Sequence, residues 1–185
     1  MTELPLKGPD DEQQICVTCG FCCDGTLFLH ASLNPGERGN LPEKIEERSY
    51  SEGGKDYFRL PCLYFTEKCS IYDRKRADIC FSYRCQLLRD YADGRITAGK
   101  GMEIVSEAFK MREDLIQQYR IMSGSTGKIN FMELLHELGK RGKQGPGAER
   151  SGSDYDMLLA RCNIFEALLI KHFRSAADFE KLIME

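Results

Sequence analysis

The run Cys16-Val17-Thr18-Cys19-Gly20-Phe21-Cys22-Cys23 limits what this chain can fold into more than any other stretch. It places four sulfurs within eight residues, and Cys62, Cys69, Cys80 and Cys85 follow. Eight of the nine cysteines therefore lie in the first half of a 185-residue chain. Ordinary core packing does not need such a density of thiols, whereas a metal site does. A thiolate is soft and anionic, and a gap of two residues lets one turn of backbone aim two sulfurs at the same ion. Cys16, Cys19 and Cys22 repeat that gap. Their spacing is that of bacterial cubane [4Fe–4S] sites, where a remote cysteine completes the set. Gly20 allows the tight backbone curl, at positive φ if needed. The side chain of Cys23 diverges from that of Cys22 and so serves a second ion or a neighbouring edge of a cluster. Eight thiolates are compatible with two zinc sites, one iron–sulfur cluster plus one zinc, or a cluster with spare thiols.

The surrounding composition narrows the setting. Hydrophobic residues make up 42% of the chain, enough to bury a core, and charged residues 30%. The length suits one domain, or a small domain with a helical extension. A net charge of -3 argues against a general nucleic-acid or anionic-membrane binder. The opening residues lack the basic start and apolar run of a secretory leader, and no apolar stretch reaches membrane-spanning length. These features predict a cytoplasmic protein, where thiols stay reduced and clustered cysteines serve metals rather than disulfides.

Along the chain, residues 1–14 read as a loose acidic lead-in and residues 15–95 as a cysteine-cluster metal-binding module. Residues 101–185 read as a helical region packed on or extending that module. Within the module, Thr26–Leu33 has the apolar character of a strand and ends at the Asn34-Pro35-Gly36 turn. Residues 35–56 are polar and glycine-bearing, with a short helix around Pro42–Arg48. Tyr57–Leu60 and Cys69–Tyr72 are two further strand candidates, and Arg76–Cys85 a short helical turn. Val105, Ala108, Phe109, Leu115, Ile116, Tyr119 and Met122 recur at helical spacing, which predicts a helix over 102–122. Asn130 and Glu133 form a capping pair for a helix reaching about Lys140. A Gly/Ser-rich loop follows from Gly142 to Gly152. Ser153 and Asp156 suggest the next cap, before the stripe Leu158, Leu159, Cys162, Phe165 and Leu169. Ser175 and Asp178 would cap one more short helix. The fold class expected is α+β, a small metal-organised module with short strands before a mainly helical half.

Residues outside the cluster read more plainly. Cys162 lies on an apolar helical stripe and reads as a core thiol. His30 is close enough to the cluster to be a further ligand, but eight thiolates already satisfy the sites. His136 and His172 fall on helices, where surface or packing roles suffice. Arg74-Lys75-Arg76 is either a solvated turn or charge compensation for an anionic cluster. Gly124–Lys128 lacks the spacing of a phosphate loop, and Ile129 stands where its Ser/Thr would be. Tyr57, Phe58, Tyr64, Phe65, Tyr72, Phe81 and Tyr83 flank the cysteines and would shield a site from solvent.

Taken together, Cys16-x-x-Cys19-x-x-Cys22-Cys23, then Cys69-Ser70-Ile71-Tyr72, then Cys80 and Cys85 resemble the YkgJ-type cysteine-cluster family. That family is marked by CxxCxxCC and described as a zinc- or iron-chelating domain. The likeness covers about residues 15–90. It differs in the loop, where three residues separate Tyr72 from Arg76, Ala77 replaces the usual Pro, and Phe81 the usual Arg. The resemblance implies that Cys16, Cys19, Cys22, Cys23, Cys62, Cys69, Cys80 and Cys85 are the metal ligands. It also brings in an enzymatic alternative, since the family includes an iron–sulfur-dependent flagellin lysine methylase. The expected function is thus a metal-binding protein carrying an iron–sulfur cluster or zinc. Its alternatives are an iron–sulfur redox or protein-modifying enzyme, and a zinc-stabilised module that meets a partner protein through its helical half. No catalytic residue is assigned.

Overall fold

A computed structural model describes residues 11–142 and 152–174. The fold is α+β, with a three-stranded antiparallel sheet and seven helices among the described residues. Helix α1 (Asp11–Cys19) starts on Asp11 and Glu12, two acids at the positive end of the helix dipole, and buries Ile15 and Cys19 one turn apart. It stops at Gly20, whose φ of 59° is left-handed and whose N–H donates to the Cys16 carbonyl at 3.1 Å. Residues 11–14, expected in the lead-in, are therefore the first turn of α1. Cys16 and Cys19 sit on a helix rather than in one loop with Cys22.

The sheet has the order β1-β3-β2, with β1 His30–Ser32, β2 Ser49–Glu52 and β3 Lys55–Arg59. β2 and β3 form a hairpin over Gly53-Gly54, both at positive φ, the two-residue turn that matches strand twist. Phe58 points into a core with Leu33, Ile71, Ala77 and Ile45, the last from α2 (Glu43–Glu46). Tyr50 and Tyr57 stack across β2 and β3.

Of the strand expected over Thr26–Leu33, only His30–Ser32 pairs. The Thr26 N–H is held by Asp24 Oδ1 at 2.9 Å and the Leu27 N–H by the Phe21 carbonyl, so Leu27 turns into the helical core. Cys69–Tyr72 is not a strand either. Phe65 and Cys69 make a single bridge as the chain doubles back, which leaves no room for a ladder.

Helix α3 (Ile79–Ser82) lies in the expected helical turn, and α4 (Gln86–Ala92) follows it. The long α5 (Ala98–Ser123) is capped by Thr97 Oγ1, which accepts from Lys100 N at 3.2 Å, and closes on Gly124 at φ 67°. α6 (Phe131–Gly142) opens with the expected capping box. Glu133 N donates to Asn130 Oδ1 at 2.8 Å, and Asn130 N to Glu133 Oε2 at 3.0 Å. α7 (Gly152–Phe173) begins one residue before Ser153, so Ser153 and Asp156 lie inside it. Most of the loop expected over 142–152, and the cap at Ser175 and Asp178, fall outside the described residues.

Val105, Ala108, Leu115, Ile116 and Tyr119 of α5 pack with α6 and α7 into one core. That core crosses the expected boundary between halves, because Ile15, Cys19, Phe21, Leu27, Leu87 and Leu88 belong to it. Gly101 permits the close approach of α1, since a Cβ there would stand 3.0 Å from Ile15 Cδ1. No helix among the described residues is long and apolar enough to cross a membrane.

Candidate metal centre

The eight sulfurs come from separate pieces of chain. α1 carries Cys16 and Cys19, and the turn after it Cys22 and Cys23. The segment after β3 supplies Cys62 and Cys69. Cys80 lies in α3, and Cys85 is the residue capping α4. Backbone hydrogen bonds draw these pieces together. Cys62 N–H donates to the Cys23 carbonyl at 2.7 Å, Phe65 N–H to the Cys62 carbonyl at 3.0 Å, and Ser70 N–H to the Tyr64 carbonyl at 2.9 Å.

Six of the eight, Cys16, Cys22, Cys23, Cys62, Cys69 and Cys80, line one cavity of about 240 Å³. Its remaining wall is chiefly apolar and aromatic, with Phe28, Phe58, Phe65, Ile71, Ile79 and Tyr83. Cys19 and Cys85 stand outside the cavity, in and against the helical core. Among the described residues, no group of three or more Cys, His, Asp or Glu side chains is placed so that it could hold a metal ion. The nine cysteines are free thiols.

Two kinds of partner face the sulfurs. Backbone N–H groups of Phe21 near Cys19, of Tyr64 and Phe65 near Cys62, and of Leu87 and Leu88 near Cys85 oppose the rise of those thiols, although the Cys85 side chain makes no capping hydrogen bond to α4. Such bonds favour the charged thiolate. Arg76 supplies positive charge at the cavity wall, its guanidinium held between Tyr72 and Phe81 at 4.2 and 4.1 Å from the ring centroids. Its Nε is buried without a hydrogen-bond partner among the described residues. Arg74 and Lys75 are exposed, so of that basic run only Arg76 meets the site. Burial outweighs these contacts in the thiol form. Cys16 and Cys80 are exposed residues, yet the packing around their thiols raises them to about 11 and about 12, with neighbouring thiols adding to the rise and Arg76 opposing it. Burial likewise raises Cys19, Cys22 and Cys23 strongly, and Cys62 and Cys85 to a lesser degree.

Metal ligation would convert these neutral thiols to thiolates and release their protons. The donor set suits a soft metal or an iron–sulfur cluster, being rich in sulfur with no carboxylate at the cavity wall. His30 also lines the cavity, with its ring edge-on to Tyr57 at 5.0 Å. Cys162 is fully buried in α7, apart from the cluster, as a core thiol.

Sequence reasoning did not single out Asp24 or Arg112. They pair behind the Cys22-Cys23 turn, and Arg112 Nη1 also donates to Thr26 Oγ1 at 2.9 Å. Arg112 lies 4.7 Å from the Phe109 ring centroid and 5.2 Å from that of Phe21. This pair borders a second cavity of about 500 Å³, and Phe65 stands in the wall of both cavities. Comparison with protein-family models, with curated proteins and with solved structures finds no match.

Proposed function

We propose that this chain is a cytoplasmic metal-binding protein that holds an iron–sulfur cluster or zinc through its eight clustered cysteines. The observation that carries the reading is the gathering of six of those cysteines, from three separate stretches of chain, around one apolar cavity. The N–H groups near Cys19, Cys62 and Cys85, and Arg76 at the wall, would stabilise the negative charge that thiolate ligation brings. The cavity of about 240 Å³ has room for a cluster or for more than one ion. The reading accords with the resemblance to the YkgJ-type family, and through it with the eight-cysteine ligand set. When bound, the metal supplies folding energy to the segments that carry its ligands. The helical half is then the surface offered to a partner protein.

A second reading, a redox or protein-modifying enzyme, is favoured by the cavity of about 500 Å³ that shares Phe65 with the sulfur-lined one. Elemental analysis and a visible spectrum separate these outcomes, on protein purified without oxygen and without a metal-affinity tag. Iron with matching sulfide and a broad band near about 400 nm is the expected result. Reversible bleaching by dithionite would support the redox version. Zinc in a colourless sample would assign the interaction module. Protein with neither metal at stoichiometric level would overturn the proposal.

A further inference from the structure

The eight thiols are not one undivided group. Five of them pack on one of the two cores, Cys19, Cys22 and Cys85 on the helical one and Cys62 and Cys69 on the sheet-side one. On the helical side, Cys19 is part of the large core, and Cys22 and Cys85 pack against it. Cys16 is one turn before Cys19 on α1, and α4, which Cys85 caps, packs against α1. On the sheet side, Cys62 and Cys69 pack against the smaller core around Phe58. Cys23 is tied to this side by the 2.7 Å bond from the Cys62 N–H to its carbonyl. Cys80 follows Ile79, which packs on the same sheet-side core.

We propose that Cys16, Cys19, Cys22 and Cys85 form one four-sulfur site, and Cys23, Cys62, Cys69 and Cys80 a second. This rests on the metal-binding reading above and adds which ligands share a centre. Four thiolates saturate either a zinc ion or a [4Fe–4S] cluster, so two quartets use all eight sulfurs. The helical quartet has the three-plus-one spacing of a cubane site, with Cys85 as the remote member. All four members of the sheet quartet line the cavity, against only Cys16 and Cys22 of the other.

The test counts centres per chain. Native mass spectrometry of the anaerobic full-length protein is expected to show two metal centres. Cys19→Ser should lose the helical centre and Cys69→Ser the sheet centre, each keeping about half of the wild-type metal. Either variant losing all metal while its circular dichroism stays native would overturn the division, as would either losing none. Titration of the metal-free wild type with Co²⁺ gives a count that does not depend on the variants folding. Thiolate-to-cobalt absorption should grow to two equivalents, and saturation at one would overturn the division. Wild-type protein that takes up no metal defeats the metal-binding reading itself. One centre per chain defeats only the partition.

Discussion

Gly20 shows how one residue decides where the first three cysteines of the cluster are placed. It ends α1 in the left-handed conformation, so that the chain turns between Cys19 and Cys22. It also lies beneath the Phe65 ring, where a Cβ would stand 2.1 Å from Cζ. Gly20→Ala therefore meets two separate penalties, about 1–2 kcal/mol for left-handed backbone and the displacement of an aromatic side chain. A total loss of at least about 2 kcal/mol is expected in urea denaturation. Removing the ring should relieve the second penalty alone. Gly20→Ala with Phe65→Ala should thus be less destabilised than the sum of the single variants by at least about 1 kcal/mol. Strict additivity would show that the methyl group and the ring do not compete for one space.

At the scale of elements, legibility follows how much of each element's burial is local in sequence. The apolar stripe of α5 is strong, and the helix read over 102–122 extends in the structure over Ala98–Ser123. The Asn130–Glu133 box was legible because both of its bonds lie within one turn. α1 was hidden because it buries only Ile15 and Cys19. β2 was missed although Gly53-Gly54 signalled a hairpin, because its four residues are polar or half-buried. Of the eight clustered cysteines six meet at one cavity, and which core each of their segments packs against was not legible in their spacing. Arg112 marks the same limit, because on α5 it looks like a solvated residue and its partner Asp24 lies 88 positions away. Both side chains are mostly buried, with exposures of 13% and 19%. Breaking a buried pair costs about 3–5 kcal/mol, and partial exposure lowers the expectation for Arg112→Ala to about 2–3 kcal/mol in urea denaturation. A loss under about 1 kcal/mol, the range of surface pairs, would mean that solvent already screens it.

For the whole molecule, the two cores differ greatly in size. The helical core buries nineteen residues among those described, and the sheet-side core five. A short three-stranded sheet on so small a core has little stability of its own. Its segments meet the helical core through the turn after α1 and the cavity that the sulfurs line. If metal fills that place, its binding energy is stability supplied mainly to the sheet side. Stripping the metal under reducing, oxygen-free conditions should then affect the two sides unequally. Amides of β1, β2, β3 and residues 60–85 should lose hydrogen-exchange protection, while those of α5 and α7 keep theirs. Far-ultraviolet circular dichroism should fall only modestly, because the long helices remain. Undiminished protection across the sheet side, in protein shown to have lost its metal, would mean that five buried residues and the backbone network hold that side without help. The metal would then be a passenger of the fold, and its purpose would have to be sought in chemistry at the sulfurs.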